Sequence, residues 1–67
     1  MAERLANSLK ERRTELGLTQ AELAEKVGVT RKTVNTVENG VFTPSATLAI
    51  KLSQALGVTV EELFWVE

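Results

Sequence analysis

Three times in this chain a glycine is followed by an apolar residue and then a threonine: Gly17-Leu18-Thr19, Gly28-Val29-Thr30 and Gly57-Val58-Thr59. Each triplet ends one helix and starts another. A glycine just past an amphipathic run supplies the left-handed backbone that closes a helix. Threonine is a good N-cap because its hydroxyl accepts a bond from an otherwise orphaned backbone N–H. Gly40 also follows such a run, so the four glycines divide the chain into short segments. This punctuation predicts an all-α fold, a compact bundle of five helices.

The residues around each threonine agree. The apolar residue before the cap and another five positions further on form a hydrophobic staple: Leu18 with Leu23, Val29 with Val34, Val58 with Leu63. Thr19 with Glu22, and Thr59 with Glu62, also have the spacing of a capping box, whereas Thr30 is followed by Thr33, which cannot reach back in the same way. These features specify a scaffold and say nothing about function.

Taken in order, the first segment, 2–16, sets Leu5, Leu9 and Leu16 on roughly one stripe, with Arg12 or Arg13 where the stripe continues. Helix propensity favours one long helix here. The other reading has Asn7 or Ser8 capping a shorter helix, with Ser8 and Glu11 as the box and residues 1–6 extended. The second helix, 20–27, buries Leu23, Ala24 and Val27; the third, 31–38, turns Val34 and Val37 inward. Proline at 44 suits the start of a fourth helix, 45–56, whose core stripe is Leu48, Ala49, Leu52, Ala55 and Leu56. Ile50 falls off that stripe. The last helix, 60–64, is little more than one turn.

At 67 residues the chain reads as one domain, 1–67. A chain of this size buries only about 60% of the surface its unfolded form exposes, so stability must come from a compact apolar core. It has no cysteine and no histidine, which removes disulfides, thiolate zinc sites and the commonest general base. Glu11, Glu15, Glu22 and Glu25 lie at helical spacing but on solvated faces, without a catalytic companion, so an enzyme is not expected. Nor is a cofactor, a metal or a small-molecule ligand. The charged start and short apolar runs predict neither export nor membrane insertion, and a cytoplasmic location. Net charge is −1, yet residues 1–36 carry seven basic against five acidic side chains, and the basic excess travels with the second and third helices.

Between those helices Gly28-Val29-Thr30 is a three-residue turn with an apolar plug, the length that two helices crossing at a large angle require. With Val34 and Val37 inward, the 3.6-residue period turns Arg31, Lys32, Asn35, Thr36 and Asn39 outward. Such side chains hydrogen-bond base edges or phosphates. The stretch LTQAELAEKVGVTRKTVNTVENG, residues 18–40, strongly resembles the helix-turn-helix of the lambdoid phage repressor, Cro and Xre-like transcription regulators. Pro44-Ser45, the fourth helix and the closing Val60 to Phe64 extend the resemblance over nearly the whole chain.

The resemblance implies a sequence-specific regulator of double-stranded DNA, docked in the major groove. It implies base reading by Arg31, Lys32, Asn35 and Thr36, with Lys32 also able to bind phosphate. It implies phosphate contacts by Gln20, Thr33, Asn39 and Arg13, with Gln20 bracing the third helix. Arg13 and Glu38 match an ion pair between the first and third helices. The loop Val41-Phe42-Thr43 departs from relatives, which often carry a cation there, and Arg12 stands where an apolar residue is common, to reach a phosphate or snorkel to solvent. In this family two copies commonly bind a pseudo-palindromic operator, to repress or to activate, and a repressor acting as a homodimer is the expectation here. The intramolecular stripes leave Ile50, Phe64, Trp65 and Val66 unexplained, which makes them the expected dimer surface; the other reading has Phe64, and less so Trp65, closing the core beneath the first helix. The alternative function is an antitoxin or adaptor of the same fold whose chief partner is a protein.

Overall fold

A computed structural model of the chain describes residues 3–67. The elements run β1 (Leu5–Asn7), α1 (Leu9–Glu15), α2 (Gln20–Val27), α3 (Arg31–Glu38), α4 (Ala46–Leu56), α5 (Val60–Leu63) and β2 (Phe64–Val66). Five helices pack around one core, and a two-stranded antiparallel ribbon joins the ends of the chain. Leu9, Leu23, Leu52 and Leu63 fill the centre with Val34 and Val37, all fully buried.

The expected caps are in place. Thr19 and Thr59 each close a complete capping box with Glu22 and Glu62. Thr30 accepts from the Thr33 N–H at 3.2 Å, and Ser45 from the Leu48 N–H at 3.1 Å. Leu18, Val29 and Val58, the apolar residues before three of these caps, pack against the core. Gly28 takes φ of 76°, and beyond it the Val29 N–H reaches back to the Ala24 carbonyl at 3.0 Å, which seals the end of α2.

The first helix is shorter than the favoured reading. A helix across 2–16 is not formed: it begins at Leu9, and the part of that expectation falling on residues 1–2 lies outside the described residues. Leu5, Ala6 and Asn7 pair instead with Val66, Trp65 and Phe64, and Arg4 and Glu67 exchange two backbone bonds of 3.2 and 2.8 Å. Helix propensities differ by only about half a kcal/mol per residue, less than a backbone partner supplies. The Ser8–Glu11 box does not form either. Ser8 Oγ donates to the Glu62 carbonyl at 3.0 Å, and it is Asn7 Oδ1 that accepts from the Leu9 N–H, also at 3.0 Å. Leu16, expected on the core stripe, sits at the helix end with 54% of its surface exposed. Phe64 belongs to β2 rather than to the last helix. Among the described residues no helix is long and apolar enough to cross a membrane.

The caps carry a pH dependence. The Thr19 backbone N–H, then its hydroxyl, holds the Glu22 carboxyl below its ordinary value of 4.5. Thr59 does the same for Glu62, with the Arg12 charge adding to the effect. A carboxyl whose pKa is depressed in the folded state contributes stability that is fully present above its ordinary pKa and is lost as pH falls through the depressed value. The thermal midpoint is therefore expected to decline once pH drops below about 4.5, and less steeply in Glu22→Gln/Glu62→Gln. Thermal melts from about pH 6 to about pH 3 check this; identical slopes in the two proteins would refute it.

Candidate nucleic-acid interface

The turn after α2 sets α3 across it, and the two helices share the buried Leu23, Val27, Val34 and Val37. Two buried valines at i and i+3 fix the rotation of α3, so what it presents outward follows from the helical period. Arg31, Lys32 and Asn35 are exposed, and with Gln20 at the head of α2 they line one shallow, open depression. Arg31 and Lys32 form no ion pair among the described residues. Their donors therefore face solvent in front of the helix.

The hydroxyl-bearing positions differ. Thr36 is half-buried and its Oγ1 donates to the Thr33 carbonyl at 3.0 Å, so its proton is directed back into the helix. Thr33 Oγ1 lies 3.0 Å from Thr30 Oγ1 at the start of α3. Asn39 is exposed, and its Nδ2 donates to the Asn35 carbonyl at 2.9 Å. In the following loop Val41, Phe42 and Thr43 are exposed, and the N–H groups of Val41 and Phe42 converge on the Thr36 carbonyl at 3.0 and 3.2 Å.

Behind this face lies a polar brace. Arg13 Nε donates to Glu38 Oε2 at 2.6 Å and its second guanidinium nitrogen to Oε1 at 3.3 Å. The remaining nitrogen donates to the Leu18 carbonyl at 2.7 Å. Gln20 Nε2 donates to the same Glu38 Oε1 at 3.1 Å, so one carboxylate ties α1, α2 and α3 together. The pair is out of water, with the Arg13 and Glu38 side chains 10% and 4% exposed. The expected phosphate contact of Arg13 finds no support in this geometry, which places the guanidinium in the buried brace and not on the outward face of α3. Each of its three guanidinium nitrogens donates to an acceptor inside the fold.

A second correction concerns the expected dimer surface. Phe64 is 7% exposed and belongs to the core. Ile50 on α4 and Trp65 and Val66 on β2 remain exposed. Arg12 is half-buried with its charge near Glu62. Two features went unread in the sequence: the Gln20–Glu38 bond and the part played by Asn7, whose Nδ2 donates to the Val37 carbonyl at 3.1 Å and the Glu38 carbonyl at 3.5 Å. The only signal for the latter was that asparagine is a capping residue.

A helix-turn-helix family model matches residues 9–63, the whole span from α1 to α5. The chain belongs to the phage-repressor and Xre-like helix-turn-helix regulators. Within this family it is 43% identical to the HTH-type transcriptional regulator YgzD of Bacillus subtilis, over 94% of this chain and 96% of that one. It is 51% identical to an HTH-type transcriptional regulator of Methanothermobacter thermautotrophicus, over 84% of this chain and 83% of the relative. Among solved structures it resembles the P22 c2 repressor bound to a synthetic operator, with a TM-score of 0.77 and 28% identity, covering 79% of this chain and 80% of the repressor. This helix-turn-helix regulator thus has the architecture of a domain solved on DNA. The span of the family model stops short of both strands.

Proposed function

We propose that the protein is a sequence-specific repressor that acts as a homodimer on a pseudo-palindromic operator. The observation that carries this reading is the grouping of Arg31, Lys32 and Asn35 with Gln20 on one open face. Two of them are cations without an internal partner, and the face is held rigid from behind by a buried ion pair. An unpaired cation on a solvated helix otherwise gains little; a rigid cluster of forked donors is what base edges in a major groove require. Arg31 supplies a bidentate donor pair for guanine, Asn35 for adenine, and Lys32 for guanine or a backbone phosphate. Thr36 offers its methyl and hydroxyl oxygen from a half-buried position. Gln20, Thr33 and Asn39 flank the group at the ends of helices, where they meet the phosphates.

One subunit presents few cations on this face, and the loop after Gly40 adds none. Affinity must then come from two copies. The exposed Ile50, Trp65 and Val66 give the second copy an apolar surface to cover, although they sit on different elements. Two copies place their α3 helices in successive major grooves about 34–36 Å apart.

Selection from a pool of random duplexes tests this directly. The enriched sequences are expected to contain two inverted half-sites spaced by about one helical turn. Affinity for the best of them is expected to fall steeply between about 50 and about 200 mM salt. Failure to enrich any duplex, together with flat salt dependence, would remove the DNA reading; enrichment of single, unrepeated half-sites would remove the dimer.

A further inference from the structure

We infer that Asn7 is a positioning residue for DNA recognition: the ribbon that joins the chain ends reaches through this one amide to hold the C-terminal turn of α3. The inference rests on the proposed DNA-binding role of α3.

The geometry begins with the backbone. The last four carbonyls of any helix lack partners within it. Val37 and Glu38 are the last two residues of α3, and the Asn7 Nδ2 donates to both of their carbonyls, at 3.1 and 3.5 Å. The other end of the same amide is also fixed, since Oδ1 accepts from the Leu9 N–H at 3.0 Å. With both ends committed, the amide plane cannot swing, and it sets the distance between the start of α1 and the end of α3.

Asn7 is itself held by the ribbon. It stands opposite Phe64, whose buried ring anchors that end of β2. At the far end Arg4 and Glu67 exchange their two backbone bonds and add a side-chain ion pair of 2.7 Å. Glu38 is therefore fixed twice, at its carboxylate by Arg13 and Gln20 and at its carbonyl by Asn7. The carboxylate grip acts from α1 and α2, within the family span; the carbonyl grip comes from outside it. Both act on the helix that carries the proposed base-reading side chains. Sequence readout is far more sensitive to a small rotation of that helix than non-specific phosphate attraction is, because bidentate base contacts need fixed geometry and phosphate contacts do not.

Asn7→Ser separates the two jobs of the amide. Serine retains an acceptor for the Leu9 N–H, but it is too short to reach the α3 carbonyls. Binding is measured to the selected operator and to an unrelated duplex, at a temperature where circular dichroism finds both proteins folded. The operator affinity of Asn7→Ser is expected to fall roughly five- to tenfold, the equivalent of one hydrogen bond to a buried acceptor. Affinity for the unrelated duplex and the salt slope are expected to stay as in the wild type. An unchanged operator affinity, or an equal loss on both duplexes, would overturn the positioning role while leaving the DNA-binding function intact. A wild-type protein that prefers no duplex would overturn both.

Discussion

Arg13→Ala is expected to remove a large part of the protein's folding stability. The substitution strips Glu38 of its ion-pair partner while the carboxylate stays inside, 4% exposed, with the Gln20 amide as its remaining partner. Breaking one half of a buried pair costs about 3 to 5 kcal/mol. Native stability of about 0.05 to 0.15 kcal/mol per residue gives a domain of this size only roughly 3 to 10 kcal/mol in total. The Leu18 carbonyl also loses its donor, which loosens the turn between α1 and α2. Urea unfolding followed by circular dichroism reads the loss as a drop in midpoint. The double change Arg13→Met/Glu38→Leu provides the contrast: a buried pair replaced on both sides by apolar groups is often neutral in stability. It is expected to fold close to the wild-type midpoint. If Arg13→Ala costs less than about 1 kcal/mol, the pair is behaving as a solvent-exposed one and the brace is not what holds α3.

Arg31→Ala is expected to leave stability unchanged and to erase sequence preference at one operator position. Its side chain is exposed and takes part in no ion pair among the described residues, so the folded state loses little by its removal. A bidentate arginine–guanine contact discriminates against the wrong base by about 1 to 3 kcal/mol. Affinity for the selected site should drop by that amount, and single-base variants at one position of each half-site should become equivalent. Lys32→Ala is the companion measurement. A phosphate contact would instead weaken all duplexes alike and lower the salt slope by about 1. Should Arg31→Ala weaken every duplex equally, Arg31 is a phosphate ligand and the base reader lies elsewhere on α3.

The parts of this fold that were legible in the sequence are those written in local chemistry. Three Gly-apolar-Thr triplets gave the ends of α1, α2 and α4 and the starts of α2, α3 and α5, because a cap involves residues only three or four apart. The outward face of α3 followed from two valines in the same way. What depended on distant partners was hidden. Residues 5–7 have the composition of a helix, and only the presence of Phe64-Trp65-Val66 some sixty residues later turns them into a strand. Three residues are also too few to display the alternation that marks a strand. Phe64 looked like a spare apolar residue for the same reason, since the strand that holds it in place pairs with Asn7 at the other end of the chain. The Arg13–Glu38 pair was suggested by family resemblance alone; charge and spacing gave no sign that Gln20 would be the third member.

The ribbon also bears on how the chain assembles. Arg4 and Glu67 are 63 positions apart, whereas each capping contact spans three. Closing so long a loop from a disordered chain costs conformational entropy that grows with the logarithm of its length. Once the helices have docked, the two ends are already neighbours and most of that cost has been met. The helices are therefore expected to dock first and the ribbon last, and the ribbon to open before the bundle does. Such partial opening falls well short of global unfolding. It would free the last turn of α3 and withdraw Phe64 from the core, while the central Leu9, Leu23, Leu52 and Leu63 stay with the helices.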